Sequence, residues 1–300
     1  MSHLIDLRNL YVSYGDFPVL NDVTLQISNH EFVGVVGPTG CGKTTLLNLI
    51  SGVLQIKGEA TIKGRALFDG KPILRPNRHC GIVWQDYSLF PDKPIWKNIA
   101  AGPIYEHYTP LDRLLRFTGY GAGVKRIRNE VIELMKIAGL PEHHAYKKPH
   151  QLSGGQRQRV AILRSIINNP KALMEDEPHG ALDPGTRTDM QEFQSKVFAE
   201  EKDKSFFFIT HSVQEAITMA TRLIVLSPYY KGNESLDKGA TIVLDLKIPV
   251  EHPRSREFAY TDLFVDTLKM VDEFGLDKDV FQELDASHFT HPDAVMPDFK

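Results

Sequence analysis

The fold of this chain is decided by the stretch Gly37-Pro38-Thr39-Gly40-Cys41-Gly42-Lys43-Thr44-Thr45. It follows an apolar, strand-like run over residues 31–36 and leads into a helical pattern of apolar residues over 46–50. A strand, a glycine-rich loop, a Lys-Thr pair and a helix, in this order, form the P-loop arrangement. The flanking strand and helix argue against a chance match, so the stretch predicts a phosphate-binding loop.

The chemistry of phosphate binding explains these residue types. Gly37, Gly40 and Gly42 let the backbone turn with positive φ and bring its N–H groups close to an oxyanion. The following helix adds the positive end of its dipole and its unpaired amides. Lys43 can then reach the β- and γ-phosphates, and the Thr44 hydroxyl can bind Mg²⁺.

Length and composition narrow the class of protein. The 300 residues are 42% hydrophobic and 24% charged, as in a soluble globular protein with a full core. The formal net charge of −3 gives no support for a nucleic-acid partner. The two cysteines, Cys41 and Cys80, predict no disulfide framework and fit a reducing cytosol. We expect no signal peptide and no segment that spans a membrane by itself.

The order of elements predicts the fold class. Alternating residues over 4–14 and 23–27 indicate antiparallel strands. Further strands are predicted over 59–62, 66–68 and 80–84, with Gly64 and Gly70 as turns, and helices prevail over 96–151. The Tyr-, Gly- and Pro-rich segment 103–123 is expected to be loop with a short helix over 111–117.

Strands then alternate with helices from residue 155 to residue 246, which indicates a largely parallel sheet. We predict an α/β fold with a P-loop NTPase (RecA-like) core, an N-terminal antiparallel β subdomain and an inserted α-helical subdomain. Residues 1–246 would form this domain, with the helical insertion at about 96–168. Residues 247–300 would form an extension with a disordered end. Its amphipathic helix around 264–271 would pack on the domain or dock a partner.

A second element with chemical character is Lys171-Ala172-Leu173-Met174-Glu175-Asp176-Glu177-Pro178. P-loop enzymes place the carboxylate on the metal side at the end of such an apolar strand. Asp176 would hold Mg²⁺, and Glu177 would orient or deprotonate the attacking water. An acidic pair alone would more often cap a helix, but its combination with the P-loop favours the catalytic interpretation.

The third element is Leu152-Ser153-Gly154-Gly155-Gln156. With this motif the chain resembles the ATP-binding cassette (ABC) family, whose signature is LSGGQ. The motif begins 109 residues after Lys43 and 24 before Asp176, in the order that the family shows. The resemblance covers about residues 1–227.

The resemblance assigns roles to further residues. Tyr14 matches the aromatic residue that stacks on adenine, and Gln85 matches the glutamine that senses the metal and the γ-phosphate. Gly180-Ala181-Leu182-Asp183 matches the loop that meets the opposite subunit. His211, directly after a predicted strand, matches the histidine on the γ-phosphate. A lone Tyr or His would more often be structural, so these roles depend on the family's order of motifs.

The family's mechanism implies ATP and Mg²⁺ as cofactors and a head-to-tail homodimer. Tyr14 and the loop from Gly37 to Thr45 would bind ATP in one subunit. The residues expected to complete the site of the other subunit are Ser153, Gly154, Gly155, Gln156 and Asp183. The predicted metal ligands are Thr44, Gln85 and Asp176, and the predicted catalytic residues are Glu177, His211 and Gln85.

Three features depart from the family pattern. Glu175 stands where the family usually has an apolar residue, and a buried carboxylate is costly unless paired. We expect it to meet a basic or hydroxyl partner and to have no catalytic part. His179 replaces a bulky apolar or aromatic side chain. The stretch 105–123 is longer than in most relatives, which suggests contact with a particular permease.

Local sequence favours one group within the family. The stretches 85–91, 149–155 and 253–258 resemble the ATPases that import nitrate, sulfonate, taurine and similar small solutes. This implies a peripheral protein on the cytoplasmic face of the inner (plasma) membrane. Its partners would be two permease subunits and, indirectly, an extracytoplasmic solute-binding protein. The alternatives are the ATPase of an exporter or lipid-extraction system and a soluble ABC protein that acts on DNA or ribosomes.

Overall fold

The computed structural model describes residues 3–109, 112, 120–180, 182–230, 233 and 235–272. The chain divides into two compact units. Unit 1 contains residues 1–77, 174–177 and 194–300, and unit 2 contains residues 78–173 and 178–193. The helix predicted over 111–117 and the chain beyond 272 lie outside the described residues, apart from residue 112. The predicted domain limits stay a prediction.

The strands and helices have the following bounds. The strands are β1 (Ile5–Tyr14), β2 (Phe17–Ile27), β3 (Phe32–Val36), β4 (Thr61–Phe68), β5 (Lys71–Pro72), β6 (Cys80–Val83), β7 (Ala172–Asp176), β8 (Ser205–Ile209), β9 (Arg222–Ser227) and β10 (Thr241–Lys247). The helices are α1 (Lys43–Ile50), α2 (Val53–Lys57), α3 (Ile95–Ile99), α4 (Ala101–His107), α5 (Tyr120–Ile137), α6 (Gly154–Ile166), α7 (Pro184–Glu200), α8 (Val213–Met219) and α9 (Asp262–Val271). Short 3₁₀ helices cover Glu142–Tyr146, Pro149–Gln151 and Arg256–Tyr260.

The first sheet of unit 1 is antiparallel, with the strand order β2-β1-β4-β5. The prediction of a turn at Gly64 is wrong, because β4 runs unbroken through it. Gly64 instead has φ +100° opposite a register shift in β1, and a Cβ there would lie 2.2 Å from the Asn9 carbonyl oxygen. Only glycine tolerates this bulge. Gly70 does lie in a turn, between β4 and β5.

The second sheet positions the site. In unit 1 its strands follow the order β10-β9-β3-β8-β7. β3 is parallel to both β8 and β9, and every residue of these three strands is buried. Strands buried on both faces explain the continuous apolar runs. Parallel strands end at the same edge of a sheet, so the residues after β3 and β8 are neighbours.

A buried ion network holds the opposite end of β9. The Arg222 guanidinium donates to both carboxylate oxygens of Asp245, at 2.7 and 2.6 Å, and to Glu31 at 3.0 Å. It also donates to the Gln26 carbonyl at 2.7 Å. Its neighbours raise the pKa of Arg222 further above its ordinary value. The network joins β2, β9 and β10, and all of its charges are paired, as burial requires.

The C-terminal part of the described chain returns to unit 1. Phe264, Met270 and Val271 of α9 are buried, and α9 packs against α8. The amphipathic helix predicted around residues 264–271 is therefore present and covered. None of the helices within the described ranges is long and apolar enough to cross a membrane.

Unit 2 is mainly helical and has its own core, built on α3, α5 and α6. The apolar stripe predicted on α5 is confirmed, because Ile127, Val131 and Met135 are buried. The prediction of a loop over 103–123 is wrong at both ends, where α4 and α5 extend into it. Pro103 lies in the first turn of α4, where a helix needs no N–H donor. Gly123 allows close approach, since a Cβ there would meet the Tyr108 hydroxyl.

The fold class predicted from the sequence is confirmed: strands and helices form an α/β fold in which the P-loop joins β3 to α1.

His252 makes the stability of unit 1 depend on pH. Its ring packs against Phe198 and Phe32, with centroids 5.4 and 5.8 Å apart, and neither ring nitrogen has a hydrogen-bond partner. Burial lowers the pKa of His252 from 6.5 to about 3. Between pH 6.5 and about pH 3, His252 is therefore protonated in the unfolded chain but neutral in the folded chain. As the pH falls through this range, the free energy of unfolding should decrease by on the order of 1 kcal/mol per pH unit.

We expect His252→Phe to flatten this acid-side loss, because phenylalanine fills the aromatic site without a titrating nitrogen. Urea unfolding at pH 7.5 and pH 5 measures it. His150→Phe, on the surface of unit 2, is the matched control for the substitution itself. An unchanged slope in His252→Phe would contradict the assignment.

Candidate functional site

The loop after β3 turns sharply against the neighbouring backbone. A Cβ on Gly37 would lie 2.0 Å from the Leu226 carbonyl oxygen at the end of β9. A Cβ on Gly42, which has φ +101°, would lie 2.8 Å from a methyl group of Val19 in β2. These two glycines let the loop fold tightly between β2 and β9. The loop therefore presents its backbone at the carboxyl edge of the sheet, as the sequence predicts.

Lys43 lies inside this turn. Its side chain is buried, and its ammonium donates to the carbonyls of Gly37 at 2.8 Å and Pro38 at 3.0 Å. Lys43 is also the first residue of α1, whose cap, Gly42, offers no side-chain acceptor to the first helical amides. A buried cation and free helix amides together form a strongly electropositive cradle. Thr44 follows, exposed at the helix start.

Two further predicted residues lie together at this edge. Nε2 of His211 lies in direct polar contact with Oε1 of Glu177. Glu177 has a left-handed backbone, φ +46°, and its N–H donates to the Ile209 carbonyl at the end of β8. Burial, and then the charge of Glu177, raises the pKa of Asp176, while His211 and Lys43 oppose this shift. The four charged groups thus act on one another within unit 1.

A polar network that the sequence reasoning missed fixes the His211 loop. The Thr210 hydroxyl bonds the buried Glu215 carboxylate and accepts from the Ser212 N–H at 3.1 Å. The Ser212 hydroxyl accepts from the Glu215 N–H at 3.2 Å and so caps α8. The pattern Ser-x-x-Glu before an apolar run is a sequence signal for such a helix cap. This signal could have identified Ser212 and Glu215 from the sequence.

Glu175 is fully buried on β7, and its partner is an amide. Nε2 of Gln194, on α7, donates to both carboxylate oxygens at 2.8 Å. The expectation of a basic or hydroxyl partner is therefore wrong. Burial raises the pKa of Glu175 to about 8, with a smaller contribution from the charge of Glu215. An uncharged acid suits an amide partner, because neither group brings a full charge into the core.

The predicted adenine-stacking residue, Tyr14, is half-buried at the end of β1. It pairs with Phe17 across the turn that joins β1 to β2. The same hairpin reaches the loop, since Val19 contacts Gly42. Phe17 is 78% exposed, so the hairpin offers a second aromatic ring that the sequence reasoning did not consider.

In unit 2, Gln85 lies in a tight turn after β6. The Tyr87 N–H donates to the Trp84 carbonyl at 2.8 Å, which closes the turn around Gln85. Arg164 of α6 then donates to the carbonyls of Ser88 and Tyr87 at 2.6 and 3.0 Å. Both of these residues have left-handed backbones. Arg164 therefore holds the backbone just after Gln85, and no motif indicated this contact. His179, the other departure noted above, is buried in this unit.

The signature loop and Asp183 also meet within unit 2. Ser153 caps α6, because its hydroxyl accepts from the Gln156 N–H at 3.3 Å and the Gln156 side chain accepts from the Ser153 N–H at 3.1 Å. A Cβ on Gly155 would lie 2.4 Å from a methyl group of Thr186, and one on Gly154 would lie 3.3 Å from Leu182.

Asp183 in turn caps α7. It accepts from the Thr186 N–H at 3.0 Å, and this bond lowers the pKa of Asp183. Ala181, in the same predicted loop, lies outside the described residues. Ser153 and Asp183 are exposed, so both can face another molecule.

Mg²⁺ fits the residues at the carboxyl edge of unit 1. Thr44 offers an exposed hydroxyl, and Asp176 offers a partly buried carboxylate. No group of three or more His, Cys, Asp or Glu in the described part of the chain could hold a metal ion. Mg²⁺ takes one or two protein oxygens and completes its shell with water and phosphate oxygens, so one hydroxyl and one carboxylate are a sufficient protein contribution.

The comparison with protein families decides the class. A family described as "ABC transporter" matches residues 20–180, from β2 through the signature to the end of the Glu177 loop. This chain belongs to the ABC transporter family. The match includes the P-loop, Gln85, the signature and the carboxylates Asp176 and Glu177 at the end of β7, all predicted from the sequence.

Curated relatives include import ATP-binding proteins. The chain is 37% identical over 231 residues to the spermidine/putrescine import ATP-binding protein PotA of Pasteurella multocida. That match covers 74% of this chain but only 55% of PotA, so the chain spans about half the length of that relative. It is also 37% identical over 225 residues to the taurine import ATP-binding protein TauB of Escherichia coli O157:H7, covering 75% of this chain and 80% of TauB.

Solved structures of cassettes are also similar. The dimeric ATP-binding cassette MJ0796 in a post-hydrolysis state, bound to ADP and Pi, aligns with a TM-score of 0.62 and 27% identity. The alignment covers 82% of this chain and 99% of that structure. CbiO1 from Clostridium perfringens, part of the ABC transporter complex cbiONQ, aligns with a TM-score of 0.65 at 23% identity, and this likeness shows the fold alone.

We predict that Glu175 and Gln194 stabilise the fold only as a pair. Glu175→Leu alone leaves a buried amide without its acceptor, which should lower the free energy of unfolding by about 1–3 kcal/mol. The double variant with Gln194→Leu removes both polar groups and should recover most of this loss. Denaturant unfolding of both single variants and the double variant measures the coupling. Additive losses would show that the two side chains do not depend on each other.

Proposed function

We propose that this chain binds and hydrolyses ATP as the nucleotide-binding subunit of an importer of a small solute. The observation that supports this most directly is the convergence of Lys43, Asp176, Glu177 and His211 at one edge of unit 1. Phosphoryl transfer asks mainly for positioning and for stabilisation of charge. These residues supply a cation, a metal-side carboxylate, a base and a second donor.

Each residue has a role in the proposed hydrolysis. The P-loop amides and the Lys43 ammonium bind the β- and γ-phosphates, and the adenine stacks on Tyr14. Glu177 orients the attacking water and accepts its proton. His211, now against Glu177, turns its Nε2 toward the γ-phosphate and donates to it. Thr44, Asp176 and Gln85 would hold Mg²⁺, which would neutralise charge on the phosphate oxygens.

A second copy of the chain completes the site in this proposal. Ser153, Gly154, Gly155 and Gln156 at the start of α6 offer a hydroxyl, amides and the positive end of a helix dipole. Such a group favours the γ-phosphate of an ATP bound to the opposite subunit. The exposed Asp183 would lie at the same interface. The dimeric MJ0796 cassette with ADP and Pi supports this arrangement.

The import direction is supported by the names of the relatives. PotA and TauB are both import ATP-binding proteins, and TauB is matched over most of its length. We propose a small nitrate-, sulfonate- or taurine-like solute, two permease subunits and an indirect solute-binding protein as the system. The chain would lie on the cytoplasmic face of the inner membrane, held there by the permeases. The name of PotA gives spermidine and putrescine as its solutes, so uptake of these polyamines is the alternative against which the proposed solute is tested.

A groove in unit 2 suits a permease segment. It encloses about 520 Å³ and is lined mainly by apolar and aromatic side chains of α3, α4 and α5. Its walls include Trp96, Tyr105 and Tyr120, and Lys93 and Lys97 stand at its rim. Lys93 lies over the Phe90 ring, 3.9 Å from its centroid, and donates to the Tyr105 hydroxyl at 2.8 Å. Aromatic anchors framed by charge are typical of docking surfaces.

Glu177→Gln tests the catalytic proposal. We expect this variant to keep ATP affinity, to lose roughly 10²–10⁴-fold in hydrolysis and to accumulate as a dimer with ATP. Phosphate release and size-exclusion chromatography measure these effects. Lys43→Ala should instead weaken ATP binding itself, and exposed Glu59→Gln is the matched control. Near-normal turnover in Glu177→Gln would overturn the assigned base.

Tyr105→Ala tests the groove. Tyr105 is 52% exposed, so its loss should spare the fold and ATP binding while weakening co-purification with the permease subunits. Tyr260→Ala is the matched control, since Tyr260 is 86% exposed on unit 1. Equal recovery of permease with both variants would remove the groove from the assembly surface.

A further inference from the structure

Unit 1 contains a cavity at the end of the second sheet opposite the P-loop. It lies where β3 and β9 begin, and β3 alone separates the two ends by roughly 16 Å. The cavity encloses about 400 Å³, more than ten times the roughly 30 Å³ that a water molecule takes in the liquid. It is lined by His30, Phe198, Ala199, Lys202, Thr221 and the segment 248–252. None of these residues belongs to the nucleotide site.

One wall of this cavity is aromatic and fixed. The His30 ring stacks on Phe198 with centroids 4.5 Å apart and planes 6° from parallel. Phe198 packs in turn against Phe32 at 5.1 Å and Phe206 at 5.6 Å, both of which are buried. Rings held on several sides lose little further freedom when a ligand binds.

The segment 248–252, which also lines the cavity, is held in place by hydrogen bonds. Arg254 donates to the Val250 carbonyl at 3.2 Å and to the Ile217 and Thr218 carbonyls of α8 at 2.5 and 3.1 Å. The Ile248 N–H donates to the Thr221 carbonyl at 2.8 Å. The cavity therefore has two fixed walls and is shaped before any ligand arrives.

Charges of opposite sign line the cavity without neutralising each other. Lys202, just after α7, and Glu251 are both exposed side chains of its lining. Across the described residues, neither forms an ion pair with the other or with a third group. A cation and an anion that face one space but remain separate suit a molecule that carries both signs.

The two histidines line the cavity through their ring surfaces. Both ring nitrogens of His252 and Nδ1 of His30 are buried without a hydrogen-bond partner, so these atoms do not face the open part of the cavity. The rings therefore offer apolar contact, and the charged groups of a ligand have to be met by Lys202 and Glu251.

From this geometry we propose that the cavity is a binding site for a small zwitterion, separate from the nucleotide site. The anionic group of the ligand pairs with the Lys202 ammonium, and its cationic group pairs with the Glu251 carboxylate. The short body of the ligand lies against the His30–Phe198 stack. The proposal does not depend on ATP hydrolysis or on the direction of transport.

Isothermal titration calorimetry of the full chain without nucleotide tests this site. The probes are the zwitterions taurine, glycine betaine and histidine, with ethanesulfonate and ethylamine as the anionic and cationic halves alone. We expect at least one zwitterion to bind at least about tenfold tighter than either half. Lys202→Met and Glu251→Gln should each weaken that zwitterion by about tenfold or more.

Matched controls are Lys57→Met and Glu59→Gln, an exposed pair elsewhere in unit 1, which should leave the affinity unchanged. ATP affinity should be the same in all four variants, which also reports that they fold. Three results would overturn the proposal: no zwitterion binding at about 10 mM, equal binding of one charged half, or full affinity in both Lys202→Met and Glu251→Gln.

Discussion

The parallel pairing of β3 with β8 and β9 is the constraint on which the rest of unit 1 depends. The rings of Phe206 and Phe208 in β8 pack edge-on against Phe32 in β3, and all three rings are buried, which fixes these strands side by side. Because the pairing is parallel, the loops after β3 and β8 leave from one edge. The P-loop lysine and the histidine after β8 therefore lie at the same edge of the sheet because of the packing between β3 and β8, which involves neither residue.

Much of this could be predicted from local sequence. Three short motifs could be recognised: the nine residues of the P-loop, the carboxylate pair at the end of β7 and the Ser153 loop. Their order along the chain identified the family. Such motifs can be recognised in a sequence because the same few adjacent residues determine both the backbone conformation and the functional groups of the site. The alternation of strands and helices then gave the fold class, since apolar runs of strand length need cover on both faces.

Side-chain partners across long sequence separations could not be predicted in this way. Gln194 lies 19 residues after Glu175, and Arg164 lies 77 residues after Tyr87. The residues adjacent to Gln194 do not indicate that its amide binds a buried acid. Those adjacent to Arg164 do not indicate that its guanidinium binds the carbonyls of a distant loop. Gly64 and Pro103 misled the prediction for a related reason. Glycine and proline are typical of loops, but glycine also occurs at a β-bulge and proline in the first turn of a helix, and the sequence alone does not distinguish these cases.

The contact between Gly155 and Thr186 has a mechanical consequence. A methyl group of Thr186, in the first turn of α7, lies only 2.4 Å from where a Cβ on Gly155 would stand, so it packs directly on the backbone of the first turn of α6. A displacement of one helix start toward the other is opposed by this contact. The spacing between the Ser153 loop and the Asp183 cap is therefore limited by the absence of a side chain at Gly155.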